Sequence, residues 1–276
     1  LAYDASKGAA IRGTSANTAT INLAEANSRI TQLQITATGS GGRGLGITSA
    51  GSRGDFLIVE GKYSATSATL GVVYFSNSST TGVVTNSVVI QRTSGADHIV
   101  GTGADSPSLF NNTFVAADDL ATAPTSIFLS GASGTVTTQN CAMFAGDSTK
   151  AIKAGSATFN HTTGYSDISG TSGVTQTTYA NAFQNVNAAT RDFRLKTGSA
   201  HINTGTTDAT NAPVDIAGTA RPSGASYDVG CWEFVAASVF TATASLSGGS
   251  SSLSATSPFS PGTNTVSAVL SGASTT

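Results

Sequence analysis

Three carboxylates, Asp118, Asp147 and Asp167, follow the polar positions Asn112, Asn140 and His161 by six, seven and six residues. If those positions belong to neighbouring turns of one coil, the carboxylates stack on a single edge, about 4.8 Å apart. Like charges so placed repel, and such a row binds a cation such as calcium or serves as an acid/base pair on a glycosidic bond. The same residues also suit solvated turns, where Asp supports loop geometry, and both readings stay open. The dipeptide Asp97–His98, with Arg92 nearby, offers less. Strand neighbours face opposite sides, so it reads as a turn Asp beside a surface His. Cys141 and Cys231 stand 90 residues apart without a CxxC, which argues against zinc; buried, unpaired thiols are the expectation and a single disulfide is the alternative. GxSxG, HExxH and GxxxxGK[ST] do not occur. "GSGGRGLG" (39–46) reads as a loop. No catalytic residue, metal or cofactor is assigned.

The elements that must hold these groups come from an internal repeat. "VVTNSVVI" (83–90), "LFNNTFVA" (109–116), "TTQNCAMF" (137–144) and "TFNHTTGY" (158–165) overlay with Asn86, Asn112, Asn140 and His161 in one column, spaced 26, 28 and 21 residues apart. Each places a polar residue between short apolar alternations, the period of a strand with one buried face. Turns of this length cannot bury their inner face alone and must stack, which predicts a right-handed parallel β-helix. Asn tolerates a left-handed corner and its amide can bond to the next turn, so the column is expected to be a structural ladder. A ligand-binding row is the alternative. Earlier segments such as "RITQLQITAT" (29–38) and "DFLIVEGKY" (55–63) fit the same plan, and "DDLATA" (118–123) suits one helical turn.

Composition narrows the function classes. Only 10% of the 276 residues are charged and the net charge is −2, so nothing draws the chain to nucleic acid or an anionic membrane. No apolar run reaches the roughly 18–20 residues of a membrane span.

One stretch is unusual: "SYDVGCWEF" (226–234) holds the single Trp, one of two Cys and one of three Glu as Cys231, Trp232 and Glu233. With "FQNVNAATRDFRLKTGSAHINTG" and "DIAGTARPSGASYDVGCWEF" before and around it, residues 183–234 resemble the closing segment of right-handed parallel β-helix proteins of the pectate-lyase-like superfamily. The resemblance rests on Asp192, Phe193, Leu195, Gly198, Ser199 and Gly205, then Asp215, Gly218, Arg221 and Pro222, then Asp228, Gly230 and Glu233. The sequence departs from the pattern at 199–203 and at Cys231 and Trp232. Pectate lyases of this fold hold calcium with clustered acids and abstract a sugar proton with a basic residue, which is what the resemblance would imply. An open coil end exposes apolar core and unpaired strands, so Trp232 is expected to plug the end of the stack. Arg221 would bridge Asp215, Asp228 or Glu233 as a charged clamp.

These readings divide the chain into a β-helix over 1–235, with 183–235 as its closing segment, and a β tail over 236–276. The tail lacks any charged residue, and its "ASLSGGSS" (244–251) returns as "AVLSGAST" (268–275). It resembles appendages of bacteriophage structural and bacterial surface proteins. The leading expectation is a non-enzymatic extracellular or virion structural protein, a capsid decoration or tail-associated fibre, partnered with copies of itself or other surface proteins. A polysaccharide lyase or hydrolase is the rival. A glycan-binding adhesin, with Tyr63, Tyr74 and Tyr165 as its exposed aromatics, is the third reading.

Overall fold

The computed structural model describes residues 9–15, 18–39, 42–61, 71–76, 81–92, 97–102, 105–116, 126–130, 134–169, 171–186, 191–236, 239–246 and 249–256. The chain divides into two units, Leu1–Phe234 and Val235–Thr276.

In the first unit, short strands are joined at sharp corners. They are β1 (Ala10–Gly13), β2 (Ala19–Leu23), β3 (Arg29–Thr31), β4 (Gln34–Ala37), β5 (Arg43–Ile47), β6 (Arg53–Asp55), β7 (Ile58–Gly61), β8 (Gly71–Ser76) and β9 (Val83–Thr85). There follow β10 (Val88–Gln91), β11 (Asp97–Thr102), β12 (Ser108–Phe110), β13 (Thr113–Ala116), β14 (Ser126–Ser130), β15 (Thr135–Phe144), β16 (Ala151–Gly155), β17 (Thr158–Ser166) and β18 (Val174–Gln176). Every pairing among these strands is parallel, between residues such as Thr137 and Asn160 or Arg53 and Val83 on successive turns. A first ladder runs β3-β6-β9-β12-β15-β17, a second β1-β4-β7-β10-β13-β15-β17-β18, and a third β2-β5-β8-β11-β14-β16. The long strands β15 and β17 pass through the corner and belong to both of the first two ladders. The fold is a parallel β-helix.

Stacking explains the inner face. Leu45, Val59, Val73, Phe75, Val89, Phe114 and Met143 form one interior cluster and are essentially inaccessible. Removing such a side chain from water is worth roughly 1.5–3 kcal/mol, and no single turn could achieve it. The second ladder adds something the alternation rule does not foresee: all four residues of β4, β7, β10 and β13 are buried. Its outer side carries Ile58, Val88, Ile90, Val115, Ala142 and Phe144, which form a second cluster with Ala182, Phe183, Phe193, Leu195, Cys231 and Trp232. These come from the closing segment: α1 (Tyr179–Ala182), the antiparallel pair β19 (Phe183–Asn185) and β20 (Asp192–Leu195), and the irregular chain to Phe234.

This placement corrects the expected end plug. Trp232 lies with the flank cluster, and its neighbour Cys231 donates from its backbone to Thr113 Oγ1 at 3.1 Å, on a middle strand of the ladder. The closing segment is a strap along the side of the stack. The physical reason is the two-sided apolar character of the ladder, since a strand apolar on both faces needs a cover on each. The C-terminal end is closed differently. Phe159 and Val174 pack against the interior cluster, which includes Ile168, and His161 Nε2 donates to the Gly173 carbonyl at 2.9 Å.

The second unit contains a hairpin of β21 (Val239–Leu246) and β22 (Gly249–Thr256), antiparallel and in continuous register from Val239↔Thr256 to Leu246↔Gly249. The repeated segment 268–275 lies outside the described residues.

Candidate functional site

The corner between the first two ladders is where the strap docks. Thr85, Phe110, Gln139 and Thr162 are in register, so the residues after them, Asn86, Asn111, Asn140 and Thr163, share the corner. All four have positive φ, 45°, 52°, 53° and 51°, as do Phe56 and Gln32, one and two turns before Asn86. Asn is the side chain that bears this left-handed geometry most readily. The column therefore contains Asn86 and Asn140, as the repeat predicts, but two members of that alignment move. Asn112 is one residue past the corner, next to Ser87 and Cys141 on adjoining turns, where its Oδ1 accepts from Ser87 N and its Nδ2 donates to Val84 O. His161 pairs with Thr138, two residues short of the corner. It ends the inner row Ile30, Gly54, Val84, Leu109, Thr138, and stacks on Phe159 at 5.7 Å between ring centroids. Burial holds its pKa below the usual histidine value.

The corner amides do more than link turns. Asn140 Nδ2 reaches Asn111 Oδ1 at 3.4 Å, but its stronger bonds are a reciprocal pair with the strap: Nδ2 to Thr206 O at 2.6 Å and Thr206 N to Oδ1 at 2.7 Å. The Asn140 carbonyl accepts from Gly230 N at 2.8 Å. Asn140 thus pairs like a short piece of strand. Asn86 is equally buried, yet neither end of its amide is bonded.

Within the strap the acids and the arginine form one lock. Arg221 pairs with Glu233 at 2.7 Å, both side chains inaccessible, and donates to the carbonyls of Asp228 and Gly230. Glu233 also accepts from Ser223 N and Asp228 N. Asp215 accepts from the backbone of Ala217, Thr219 and Glu233, and Asp228 from Asn203 N and Phe234 N. Of the three acids expected to pair with Arg221, Glu233 makes the ion pair, while Asp215 and Asp228 fasten turns. Burial nonetheless outweighs Asp228's two amide bonds and pushes its pKa up to about 6. His201, within the strap, stacks on Tyr165 at 4.4 Å and Phe144 at 5.8 Å of the coil, and its Nδ1 donates to Val229 O. Burial lowers its pKa to about 4.

A second polar cluster lies on the outer side of the first ladder, and the sequence reading missed it. Asp55, fully buried, receives Arg29 Nε at 2.7 Å, Arg53 Nε at 2.5 Å and the Thr85 hydroxyl. Arg53 Nη2 continues to Thr85 Oγ1 at 3.2 Å and to the strap at Asn211 O, 2.8 Å. The signal was present: Arg29 and Arg53 are in register on consecutive turns, so two guanidinium groups stand side by side and require an anion between them. Glu60 and Arg92 make a similar pair at 2.8 Å.

Of the expected carboxylate row, Asp118 lies outside the described residues, as do Tyr63 and residues 118–123. Asp147 binds the amide and hydroxyl of Thr149, with Lys150 at 3.8 Å. Asp167 reaches the preceding turn and accepts from Ala145 N at 2.9 Å and Gly146 N at 2.7 Å, and burial raises its pKa. Among the described residues, no group of three or more His, Cys, Asp or Glu side chains could hold a metal ion.

His98 is not at the surface. Val73, Ile99 and Phe128 are in register, so His98 stands in one row with the preceding residues Val72 and Ile127, inside the coil and edge-on to Phe114. Neither ring nitrogen is bonded, and burial lowers its pKa to about 4. Cys141 and Cys231 are free, buried thiols in the inner and flank clusters respectively; burial pushes Cys141 up to about 12 and Cys231 upward as well. Tyr165 is buried under His201, and Tyr74 is covered by the Arg43 guanidinium 3.5 Å from its ring centre, so these two do not form an exposed aromatic row.

No protein-family model matches the chain, and no curated protein matches it. Among solved structures it is similar to the crystal structure of pectate lyase Pel9A, at 12% identity and a TM-score of 0.36, over 81% of this chain and 69% of that one. The strand pairing itself establishes the coil.

Proposed function

We propose that this chain is a non-enzymatic structural β-helix of an extracellular or virion surface, in its most concrete form a bacteriophage capsid decoration or tail-associated fibre component. One observation supports this reading above the others: the buried, clustered carboxylates are engaged in holding the chain together. Asp55 sits between two arginines, Glu233 is locked to Arg221, and Asp167, Asp215 and Asp228 bind backbone amides. A general base needs a lone pair aimed at a proton that a substrate can bring. These lone pairs are aimed at the fold. The low charge of the coil suits packing against other copies or other surface proteins, and the uncharged tail suits attachment.

A second reading, glycan binding, draws support from the outer side of the first ladder beyond Asp55. There Ser108, Thr137 and Asn160 align across three turns beside Phe110, Gln139 and Thr162, each partly or fully exposed. Incubation with a panel of acidic and neutral polysaccharides separates the readings. The structural account expects neither retention nor new ends. Retention without cleavage favours the glycan-binding reading, and the appearance of unsaturated or reducing ends overturns the non-enzymatic account.

A further inference from the structure

We draw no further inference here: the strongest candidate, the surface patch of Ser108, Phe110, Thr137, Gln139, Asn160 and Thr162 on the outer side of the first ladder toward the C-terminal end of the coil, belongs to the face already described for the glycan-binding reading.

Discussion

The two faces of the second ladder are buried by different means. Val59, Val89, Phe114 and Met143 on the inner side are covered by turns of their own coil, whereas Ile58, Val88, Ile90, Val115 and Phe144 on the outer side wait for a strap that arrives from 179 onward. Inner burial is repetitive, so many small aliphatic contacts suffice. Outer burial joins residues as distant as Thr113 and Cys231, 118 positions apart, and it is secured by polar locks that fix position: Arg221–Glu233, Asn140–Thr206 and Arg53–Asn211. Apolar contact gives the strap its energy, and the buried hydrogen bonds give it its register.

The largest effect should come from the lock. Arg221→Ala leaves Glu233 buried without its counter-charge, and breaking such a pair costs about 3–5 kcal/mol. Chemical denaturation followed by limited proteolysis should show the strap released first. If strap and coil lose protection together, the two regions are a single cooperative unit. Truncating an aromatic on each side sharpens the contrast: Phe114→Ala and Trp232→Ala should each cost roughly 3–5 kcal/mol. The first should lower the main thermal transition, and the second should open the strap to protease while that transition holds. Equal effects on both readouts would erase the distinction.

Acid should also separate the regions. His98 inside the coil has a folded pKa of about 4 against 6.5 unfolded, so its contribution is complete above pH 6.5 and is lost as pH falls toward 4, up to ~3 kcal/mol. His201 in the strap behaves the same way. Asp228 has the opposite sign: its folded pKa of about 6 exceeds the ordinary 3.8, so its contribution is complete below about pH 4 and is lost as pH rises through 6. In the strap the His201 and Asp228 responses run in opposite directions, whereas in the coil the lowered His161 adds to the response of His98 and the raised Asp167 opposes it. His98→Leu, which extends an aliphatic row, should therefore flatten the loss of stability between pH 6.5 and 4 in equilibrium denaturation. An unchanged pH slope would rule out His98 as its source.

The smallest contrast lies in the corner. Asn140→Gly keeps the left-handed backbone but removes the paired bonds to Thr206, a loss of about 1–2 kcal/mol. Asn86→Gly removes an amide that bonds to nothing in the fold and should change stability by a few tenths of a kcal/mol at most. Matching losses would mean that corner geometry, rather than docking of the strap, is what the asparagines supply.

The coil was readable from residue types because period-2 alternation and repeated turn lengths are local signals. Asn86 and Asn140 were placed on that basis. Asn112 and His161 slipped by one and two residues because "FNNT" offers two adjacent asparagines and "FNHTT" ends in a threonine that also accepts the corner. The strap's position was less legible. "LIV" (57–59), "VVI" (88–90) and "AMF" (142–144) are unbroken apolar runs, the mark of strands covered on both faces, and they point to a flank cover rather than an end plug. Which segment supplies that cover depends on contacts more than a hundred residues apart, and no periodicity encodes them.

The most direct test of the flank strap is a crosslink. Cys231 Sγ lies 3.2 Å from Thr113 Oγ1 on a middle strand of the second ladder, so Thr113→Cys should oxidise to a disulfide with Cys231, detected by peptide mapping. Failure to form that bond in the folded protein, or oxidation that joins position 113 to Cys141 instead, would contradict the placement of the strap.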